Sequence, residues 1–396
     1  MKLRGKEILL GVTGGIAAYK SVLLLRKLTK EGANVNVIMT ENAKQFVGPL
    51  TFQTLSGNPV TSDLFTLFKS SEIGHVALAD KADLLVISPA TANIIGKIAN
   101  GIGDDFLSTM VMATRVPVLF APSMNVNMYH SPVVQDNIAK LKSFGYYFID
   151  PVEGELACKV EGKGKLADID DILEEIHIIL TQKDFKGKKI LITAGPTIED
   201  IDPVRFISNN SSGKMGYSLA KMAIRRGAEV MLISGPTCIE PPHKAKFIRI
   251  RSAKEMFDAV MDNFVNYDII IKTAAVADFK PHQYSTNKIK KLKDDLILKL
   301  DKNEDILKQL GKYKGDRLLV GFAAESEKFL ENALQKLKEK NVDLMIVNDI
   351  SNKKIAFQSD FNECNMIFKD GSIRHIPFMD KDTVSDDILD AIKSII

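Results

Sequence analysis

The stretch Gly195-Pro-Thr-Ile-Glu-Asp-Ile-Asp-Pro-Val-Arg-Phe-Ile-Ser-Asn-Asn-Ser-Ser-Gly-Lys-Met-Gly216 follows a short apolar run, Ile190 to Thr193, and precedes a helical pattern from Tyr217 to Arg226. In this strand–loop–helix setting a polar, glycine-containing loop can present backbone N–H groups to a phosphate. Loops of this kind usually run about 2–6 residues, so this one is too long to be only a connection. It also opens a second half of the chain, which predicts two sites.

Apolar runs alternate with helical patterns from the start of the chain. The predicted strands of the first half are Glu7–Val12, Asn34–Met39, Leu84–Ile87, Val118–Ala121 and Tyr146–Ile149, and the predicted helices are Ala17–Glu31, Asn93–Met112 and Ile169–Leu180. Such a pattern predicts an α/β fold with a parallel sheet covered on both faces. Ligands bind at the carboxyl ends of the strands in such sheets.

A second alternating series follows a polar segment, 181–188. Its predicted strands are Ile190–Thr193, Glu229–Ser234, Phe247–Ile250, Ile269–Lys272, Leu318–Phe322 and Leu344–Val347, and a closing hairpin pairs Cys364–Phe368 with Ile373–Pro377 around Asp370-Gly371. We therefore predict two doubly wound domains, residues 1–183 and 184–396.

Composition excludes several classes of protein. The chain has 396 residues, 45% hydrophobic and 26% charged, and a net charge of +3, which gives no reason to expect a nucleic-acid partner. No apolar run approaches the roughly 18–20 residues of a membrane span. Three widely spaced cysteines form neither a disulfide framework nor a Cys-x-x-Cys metal motif, so we expect a cytoplasmic protein.

The first candidate site begins at Gly11-Val-Thr-Gly-Gly-Ile-Ala-Ala-Tyr19, between a strand and a helix. Glycines there let the backbone approach a phosphate, but the stretch is not a strict Gly-x-Gly-x-x-Gly, and a tight turn before a packed helix explains it as well. The acidic residue that a dinucleotide site expects after strand two is ambiguous, because that strand ends at Met39-Thr40 with Glu41 just beyond.

Three further residues have both a functional and a structural reading. His75 precedes an amphipathic helix, and Asn125 follows a strand, where its amide either binds a polar ligand or holds a turn. Cys158 lies in a glycine-rich, charged segment, 153–165, that predicts a loop or hairpin flap. Nearby Lys159 and Lys163 would lower the thiol pKa, although an idle exposed thiol is equally compatible with the spacing.

Taken together, these motifs resemble the flavin-dependent cysteine decarboxylases, and most closely the phosphopantothenoylcysteine decarboxylases, over roughly Lys6 to Leu180. The resemblance rests on Gly14-Gly-Ile-Ala, Pro89-Ala-Thr-Ala-Asn93, His75, the Pro-x-Met-Asn-x-x-Met motif and the Leu-Ala-Cys flap. It implies a flavodoxin-like domain that binds FMN. The FMN-binding residues implied are Gly14, Gly15, Thr40, Thr91, Ala92, Asn93 and Ser123.

The chemistry implied by this resemblance is oxidation of a substrate thiol to a thioaldehyde, loss of CO2 to give an enethiolate, and return of the hydride. His75 would act near the substrate carboxylate and thiol, Asn125 would hydrogen-bond the carboxylate, and Cys158 would donate the final proton. The chain departs from the family at Lys159, usually Gly, and at Lys165, usually Arg, whose planar fork a lysine does not replace. Ile94 stands where the family often has Thr.

The stretch 195–216 resembles the phosphopantothenate–cysteine ligases over essentially its whole length. Lys272-Thr-Ala-Ala-Val-Ala-Asp-Phe279, Asn287-Lys-Ile-Lys-Lys291 and Gly321-Phe-Ala-Ala-Glu325 extend this resemblance to about Asn348. The order of the two halves is that of the fused bifunctional enzymes of coenzyme A biosynthesis. The second half is therefore expected to be a nucleotide-binding, Rossmann-like ligase domain.

This second resemblance implies that CTP activates the carboxylate of 4′-phosphopantothenate as an acyl-cytidylate, and that the amine of cysteine then displaces CMP. Asn209 would handle the acyl-cytidylate, and Lys288 would contact the triphosphate. The other CTP-binding residues implied are Ala274, Asp278, Asn303, Glu304, Asp305, Ile306, Phe322, Lys336 and Lys340, and the phosphate-facing ones are Ser211, Ser212, Gly213 and Lys214.

The same resemblance implies Mg²⁺, for which Asp278 is the one ligand we name. It also implies a homo-oligomer of decarboxylase trimers and ligase dimers, up to a dodecamer. On spacing alone, the lysines are equally compatible with solvated faces, and Asp278 with a strand-end cap.

Two alternatives remain open at this point. One is a flavin enzyme that decarboxylates a different cysteine-containing substrate or prenylates flavin, which leaves the second half of the chain unexplained. The other is a flavin-binding regulatory protein with vestigial catalytic residues.

Overall fold

The computed structural model of the chain describes residues 3–62, 74–155, 161–290, 296–325, 329–349 and 358–396. The chain divides into two compact units, residues 1–180 and 181–396. The predicted boundary, between residues 183 and 184, lies three residues beyond this division.

The first unit alternates strands and helices. In chain order its elements are β1 (Glu7–Val12), α1 (Ala18–Lys30), β2 (Asn34–Met39), α2 (Pro49–Ser56), α3 (Gly74–Lys81), β3 (Leu84–Ala90), α4 (Ala92–Ala99), α5 (Phe106–Ala113), β4 (Val118–Pro122), α6 (Val126–His130), α7 (Pro132–Ser143), β5 (Tyr147–Phe148), β6 (Val152–Glu155), β7 (Glu161–Lys165) and α8 (Ile169–Leu180). A short 3₁₀ helix, Glu41–Gln45, follows β2.

The first unit contains a five-stranded sheet in the order β2-β1-β3-β4-β5, and its pairings are all parallel. This is the flavodoxin-like order. Alternate residues of β1 enter separate cores, because Ile8 and Leu10 pack in one cluster and Leu9 in another. The sheet is therefore buried on both faces, and the prediction of a flavodoxin-like fold is confirmed.

One predicted helix of this unit is wrong. The segment Asn93–Met112 forms two helices, α4 and α5, instead of one. The physical reason is a capping box: the Asp105 carboxylate accepts a hydrogen bond from Ser108 N at 2.7 Å, and Asp105 N donates to Ser108 Oγ at 3.2 Å. This cap satisfies the first N–H groups of a new helix, so the chain restarts at Phe106.

The second unit begins with the quoted stretch. Its elements are β8 (Lys189–Ala194), β9 (Ile198–Asp200), β10 (Phe206–Ser208), α9 (Lys214–Arg225), β11 (Glu229–Ser234), β12 (Lys246–Arg249), α10 (Ala253–Asn263), β13 (Ile269–Lys272), β14 (Phe279–Pro281), β15 (Leu300–Lys302), α11 (Ile306–Tyr313), β16 (Leu318–Glu325), α12 (Phe329–Glu339), β17 (Leu344–Asp349), β18 (Phe361–Phe368), β19 (Ile373–Asp380) and α13 (Lys381–Lys393).

The main sheet of this unit has eight strands in the order β12-β11-β8-β13-β16-β17-β18-β19. The first six are parallel, and β18 and β19 form the predicted antiparallel hairpin at one edge. By order of appearance the parallel strands run 3-2-1-4-5-6, which is the Rossmann order. The chain reverses its direction across the sheet between β8 and β13, and this switch point is where such folds bind ligands.

The stretch 195–216 is more structured than a loop. Its middle folds into a two-stranded antiparallel hairpin, β9 with β10, before α9 begins at Lys214. Among the described residues, no helix is long and apolar enough to cross a membrane.

Candidate active sites

A cavity of about 630 Å³ lies at the carboxyl ends of β1, β3 and β4 in the first unit. All seven residues predicted to bind FMN line it, together with Asn125. They come from four segments that are far apart in sequence: Gly14 and Gly15, Thr40, Thr91 to Asn93, and Ser123. The parallel sheet brings these segments to one edge, as the sequence predicts.

Two threonines fix the loops on either side of this cavity. The Thr13 hydroxyl donates a hydrogen bond to Pro89 O at 2.7 Å and accepts one from Thr91 N at 3.3 Å. The Thr91 hydroxyl in turn caps α4 by accepting from Ile94 N at 3.5 Å. The N-terminus of α4 is thereby held at the cavity, where its N–H groups favour an anion.

Position 14 requires a glycine because the backbone there passes close to Asn42. A Cβ atom added there would lie 2.4 Å from Asn42 Cβ, far inside van der Waals contact. The Thr40 hydroxyl oxygen, in the same wall, is buried and has no partner among the described residues. Buried polar groups normally have a partner, so this wall suits a ligand with hydrogen-bonding oxygens.

Asn125 both holds a turn and faces the cavity. It is the N-cap of α6, where its side-chain oxygen accepts a hydrogen bond from Asn127 N at 2.8 Å, and it also lines the cavity. The turn therefore fixes the orientation of the carboxamide at the cavity wall.

In the predicted flap, strands β6 and β7 pair antiparallel. Residues 156–160, which include Cys158 and Lys159, lie outside the described part of the chain. Strand β7 lies against the α6 turn, where Met124 N donates to Gly164 O at 3.0 Å. Lys163 pairs with Asp150 at 2.9 Å, and this hydrogen bond raises the pKa of Lys163. The ammonium of Lys163 therefore already has an anionic partner.

His75 lies in the first turn of α3, and the position of its side chain is outside the described part of the chain. Sequence reasoning missed Lys97, which lines the cavity and pairs with Asp104 at 2.7 Å and Asp105 at 3.3 Å. The hydrogen bond with Asp104 raises the pKa of Lys97. Predicting one continuous helix hid this pairing, because the loop between α4 and α5 supplies both carboxylates.

A second cavity, of about 600 Å³, lies at the carboxyl ends of the strands in the second unit. It is lined by every residue predicted for the ligase site except Lys288: Asn209, Ser211, Ser212, Gly213, Lys214, Ala274, Asp278, Asn303, Glu304, Asp305, Ile306, Phe322, Lys336 and Lys340. Lys288 lies on an exposed segment and is not part of this lining. Its role remains a prediction.

The quoted stretch nevertheless anchors the segment that carries Lys288. The buried carboxylate of Asp202 accepts hydrogen bonds from the N–H groups of Val204 and Arg205, both at 2.8 Å, and from Ile289 N at 3.1 Å. The Arg205 guanidinium donates to Asp202 at 2.8 Å and to Ile289 O at 3.1 Å. Residue 288 is thus held next to an ordered turn of the motif.

The end of the stretch packs closely against the sheet. A Cβ atom on Gly216 would lie 2.6 Å from both Ala194 Cβ and Thr273 Oγ1, so α9 approaches the ends of β8 and β13 directly. Asn209 Nδ2 donates to Ala275 O at 3.0 Å, which places this asparagine over the switch point.

Sequence reasoning missed two lysines of the second cavity, Lys272 and Lys381. Lys272 ends strand β13, and its ammonium donates to Ala274 O at 2.9 Å. Burial and repulsion by Lys340 lower the pKa of Lys272 to about 8. The signal was a lysine that ends an apolar run, Ile269-Ile-Ile-Lys272. Lys340 itself pairs with Asp305 at 2.8 Å.

The described residues contain no group of three or more His, Cys, Asp or Glu side chains arranged to hold a metal ion. Asp278, the predicted metal ligand, is exposed at the cavity wall. A divalent cation fits here only if ligand oxygens complete its coordination, as is usual for Mg²⁺ with nucleotides.

Comparison with known proteins places a different family model on each unit. Residues 1–181 match the model described as Flavoprotein, and residues 185–396 match the model described as DNA/pantothenate metabolism flavoprotein C-terminal domain.

Full-length relatives are also similar. The chain is 48% identical over 397 residues to the coenzyme A biosynthesis bifunctional protein CoaBC of Bacillus subtilis, covering 99% of this chain and 98% of that protein. It is 41% identical over 397 residues to the protein of the same name from Escherichia coli, with coverage of 99% and 98%.

Two solved structures each resemble one half. The C-terminal domain of a coenzyme A biosynthesis bifunctional protein CoaBC is 42% identical, with a TM-score of 0.47, and covers 54% of this chain and 98% of its own. A mutant PPC decarboxylase complexed with pantothenoylaminoethenethiol is 28% identical, with a TM-score of 0.42, and covers 44% of this chain and 98% of its own.

Proposed function

Because the chain belongs to the family of coenzyme A biosynthesis bifunctional proteins, we propose that its two cavities carry out two successive steps of that pathway. The second unit ligates cysteine to 4′-phosphopantothenate with CTP, and the first unit decarboxylates the product, 4′-phosphopantothenoylcysteine, to 4′-phosphopantetheine. The observation that supports this most directly is that the predicted FMN-binding residues line a cavity in the first unit, and the predicted CTP-binding residues except Lys288 line a cavity in the second.

The ligase reaction begins when the substrate carboxylate attacks the α-phosphorus of CTP. The bond between the α- and β-phosphates breaks, and pyrophosphate leaves. Attack of one anion on another requires cations that are in place before the reaction. Lys336 and Lys340 on one side of the cavity and Lys214 on the other supply this charge.

In the second half-reaction the amine of cysteine attacks the acyl carbon, and CMP leaves with the phosphate oxygen. Asn209, held over the switch point by Ala275 O, is placed to hydrogen-bond the acyl phosphate. Asp278 would supply one carboxylate to Mg²⁺, and the ion would offset negative charge on the triphosphate.

The residues of the first cavity fit FMN. The N-terminus of α4 suits its phosphate, the absence of a side chain at Gly14 lets the backbone pass close to Asn42, and the Thr40 hydroxyl can hydrogen-bond a hydroxylated chain. Bound FMN would supply a hydride acceptor and donor. Asn125 then orients the substrate carboxylate, and we assign His75 to the substrate thiol and carboxylate. Cys158 donates the last proton from the flap.

Exposed apolar side chains in the first turns of α1 and just before it support a homo-oligomer. Ile16, Tyr19 and Leu23 are 61%, 54% and 52% exposed, and Ile16 also lines the flavin cavity. An exposed apolar rim around a binding site is typical of an interface. We propose that the first unit assembles through this face and that the full chain forms a larger assembly, whose mass light scattering would give.

The ligase assignment is tested by supplying CTP, 4′-phosphopantothenate and cysteine to the purified protein. We expect pyrophosphate release that requires 4′-phosphopantothenate, and CMP release that also requires cysteine. Pyrophosphate release that is independent of 4′-phosphopantothenate would exclude this ligase.

The decarboxylase assignment is tested with 4′-phosphopantothenoylcysteine. The purified protein should show the visible absorbance of bound FMN and release CO2. A Cys158→Ser variant should keep FMN and release CO2 but fail to form 4′-phosphopantetheine. Complete turnover by that variant would exclude Cys158 as the proton donor. A regulatory flavoprotein would bind FMN and release no CO2.

A further inference from the structure

The last helix of the chain contributes a buried lysine to the ligase cavity. Lys381 is the first residue of α13, lines the cavity and is 9% exposed. Helix α13 packs against α9, whose first residue is Lys214. Two lysines at the first positions of adjacent helices therefore face one part of the cavity wall.

Both positions are unfavourable for a cation. The N-terminus of a helix carries partial positive charge, so Asp and Glu are normally preferred in its first turn. Burial of Lys381 adds a second penalty, because its ammonium group loses its hydration. Burial and the neighbouring Lys214 lower the pKa of Lys381 to about 8. Residues that break local rules in this way are expected mainly at functional sites.

The nearby carboxylates are already engaged. Asp360 pairs with Lys214 at 2.5 Å, Asp382 pairs with Lys221 at 2.7 Å, and Asp380 caps α13 by accepting from Thr383 N at 3.2 Å. Among the described residues, the Lys381 ammonium bonds the carbonyl oxygen of Ser359 and no carboxylate. The ammonium groups of Lys214 and Lys381 therefore outnumber the one carboxylate, Asp360, that attracts both of them.

The position of this charge relative to the sheet indicates which part of the ligand it meets. Helices α10, α11 and α12 cover one face of the sheet and share one core cluster, whereas α9 and α13 pack together outside that cluster. Of the residues predicted to bind CTP, Asn303 to Ile306 and Lys340 belong to the α11–α12 side. Asn209, predicted to meet the acyl phosphate, lies between the two sides over the switch point.

We propose that Lys381, together with Lys214, binds the terminal phosphates of the nucleoside triphosphate and holds the pyrophosphate as it leaves. This inference rests on the proposed ligase function. In this arrangement the nucleoside lies on the α11–α12 side, and the triphosphate extends across the strand ends so that its β- and γ-phosphates reach the α9–α13 side. The same cations would suit the phosphate of 4′-phosphopantothenate, and the experiment separates the two sources.

The test compares Lys381→Met with wild type in equilibrium titrations of CTP, CMP and inorganic pyrophosphate. A charge-assisted hydrogen bond contributes about 1.5–3 kcal/mol, so we expect CTP and pyrophosphate to bind about 10- to 100-fold more weakly. CMP, which lacks the terminal phosphates, should bind unchanged. In the steady state the KM for CTP should rise while the KM for 4′-phosphopantothenate stays constant. Lys338→Met, at an exposed position of α12 outside the cavity lining, is the matched control.

Three results would overturn the proposal: equal weakening of CMP and CTP, unchanged pyrophosphate binding, or a rise only in the KM for 4′-phosphopantothenate. Equal weakening would mean that Lys381 only anchors the segment at Ser359. Lys381→Gln retains a donor for Ser359 O, so it separates loss of charge from loss of folding and should show the same selective loss. Wild-type protein that does not bind CTP would instead refute the proposed function itself.

Discussion

The two cavities have similar volumes, about 630 and 600 Å³, and both lie at the carboxyl edge of a parallel sheet, but their walls have opposite chemistry. The first presents hydroxyls, carboxamides, the carboxylates of Glu41 and Asp105, and one lysine, Lys97, that pairs with Asp104 and Asp105. The second presents five lysines against three carboxylates: Lys214, Lys272, Lys336, Lys340 and Lys381, with Asp278, Glu304 and Asp305.

The difference shows that the fold provides the place and the side chains select the ligand. A monophosphate can be held by backbone N–H groups and hydroxyls at a helix N-terminus. A triphosphate that must be attacked by a carboxylate needs several cations. The predictions below test whether the two sites are chemically independent.

The largest effect is expected from Gly216→Ala. The added Cβ would lie 2.6 Å from Ala194 Cβ and Thr273 Oγ1, so α9 must move away from the sheet. A displacement of about 1 Å at a reacting centre can reduce the rate about 100-fold. We expect a loss of that size in the pyrophosphate release that requires 4′-phosphopantothenate. The FMN content should not change. Loss of FMN in the same variant would show that the sites are coupled.

Gly14→Ala is the reciprocal change. Its Cβ would lie 2.4 Å from Asn42 Cβ and 2.9 Å from the Asn42 carbonyl carbon, and this strain is worth about 1–3 kcal/mol. If this strain weakens flavin binding, the dissociation constant for FMN should rise about 5- to 100-fold. The fluorescence of FMN released on dilution measures it. Ligase activity should be unchanged. Gly48→Ala, where nothing lies within 4 Å of the new Cβ, is the control.

The third prediction concerns the stability of the second unit. Arg226 and Lys393 contact Asp184 at 2.6 and 2.8 Å, and the hydrogen bond from Arg226, followed by that from Lys393, lowers the pKa of Asp184 to about 2. The carboxylate therefore contributes about 2 kcal/mol above pH 4, and this contribution is lost as the pH falls from about 4 to 2.

Asp184→Asn should accordingly lower the melting temperature of the second unit by about 4–8 °C at pH 7, by calorimetry, and leave the first unit unchanged. The difference from wild type should disappear below about pH 2. The control is Asp386→Asn, since Asp386 is 46% exposed and pairs with Arg226 at 3.4 Å. This substitution should lower the free energy of unfolding by less than about 1 kcal/mol. Equal shifts for both variants would contradict the argument from burial.

The smallest effect is expected from Lys340→Met, because several lysines share the charge of the second cavity. Removal of this ammonium, 2.8 Å from Asp305, should raise the KM for CTP about tenfold, which corresponds to about 1.4 kcal/mol. Lys338→Met, exposed on the same helix and outside the cavity lining, should have no effect. A change in decarboxylation by Lys340→Met would weaken the separation of the two sites.

Sequence alone determined the two α/β units and most residues of both cavity walls. Most of the wall residues came from the resemblance to two enzyme families. The units and the position of their sites followed from the pattern, because strand and helix periods are local and the carboxyl ends of parallel strands must meet at one edge. The stretch 195–216 and the Thr91–Asn93 turn were predicted as binding segments for this reason. The role of Asp202 in anchoring Ile289 was not predicted, because its partner lies 87 residues away.

Only the tertiary structure decided the charge of each site. Lys97, Lys272 and Lys381 were not predicted as site residues. The local sequence around a lysine in a helix or at a strand end predicts a solvent-exposed side chain, and only its neighbours in space show otherwise. Packing of α13 on α9 brings Lys381 beside Lys214, 167 residues earlier in the chain. Burial and electrostatic repulsion depend on distance in space, so the sequence predicted Lys214, Lys336 and Lys340 in the second wall but not the full charge of either site.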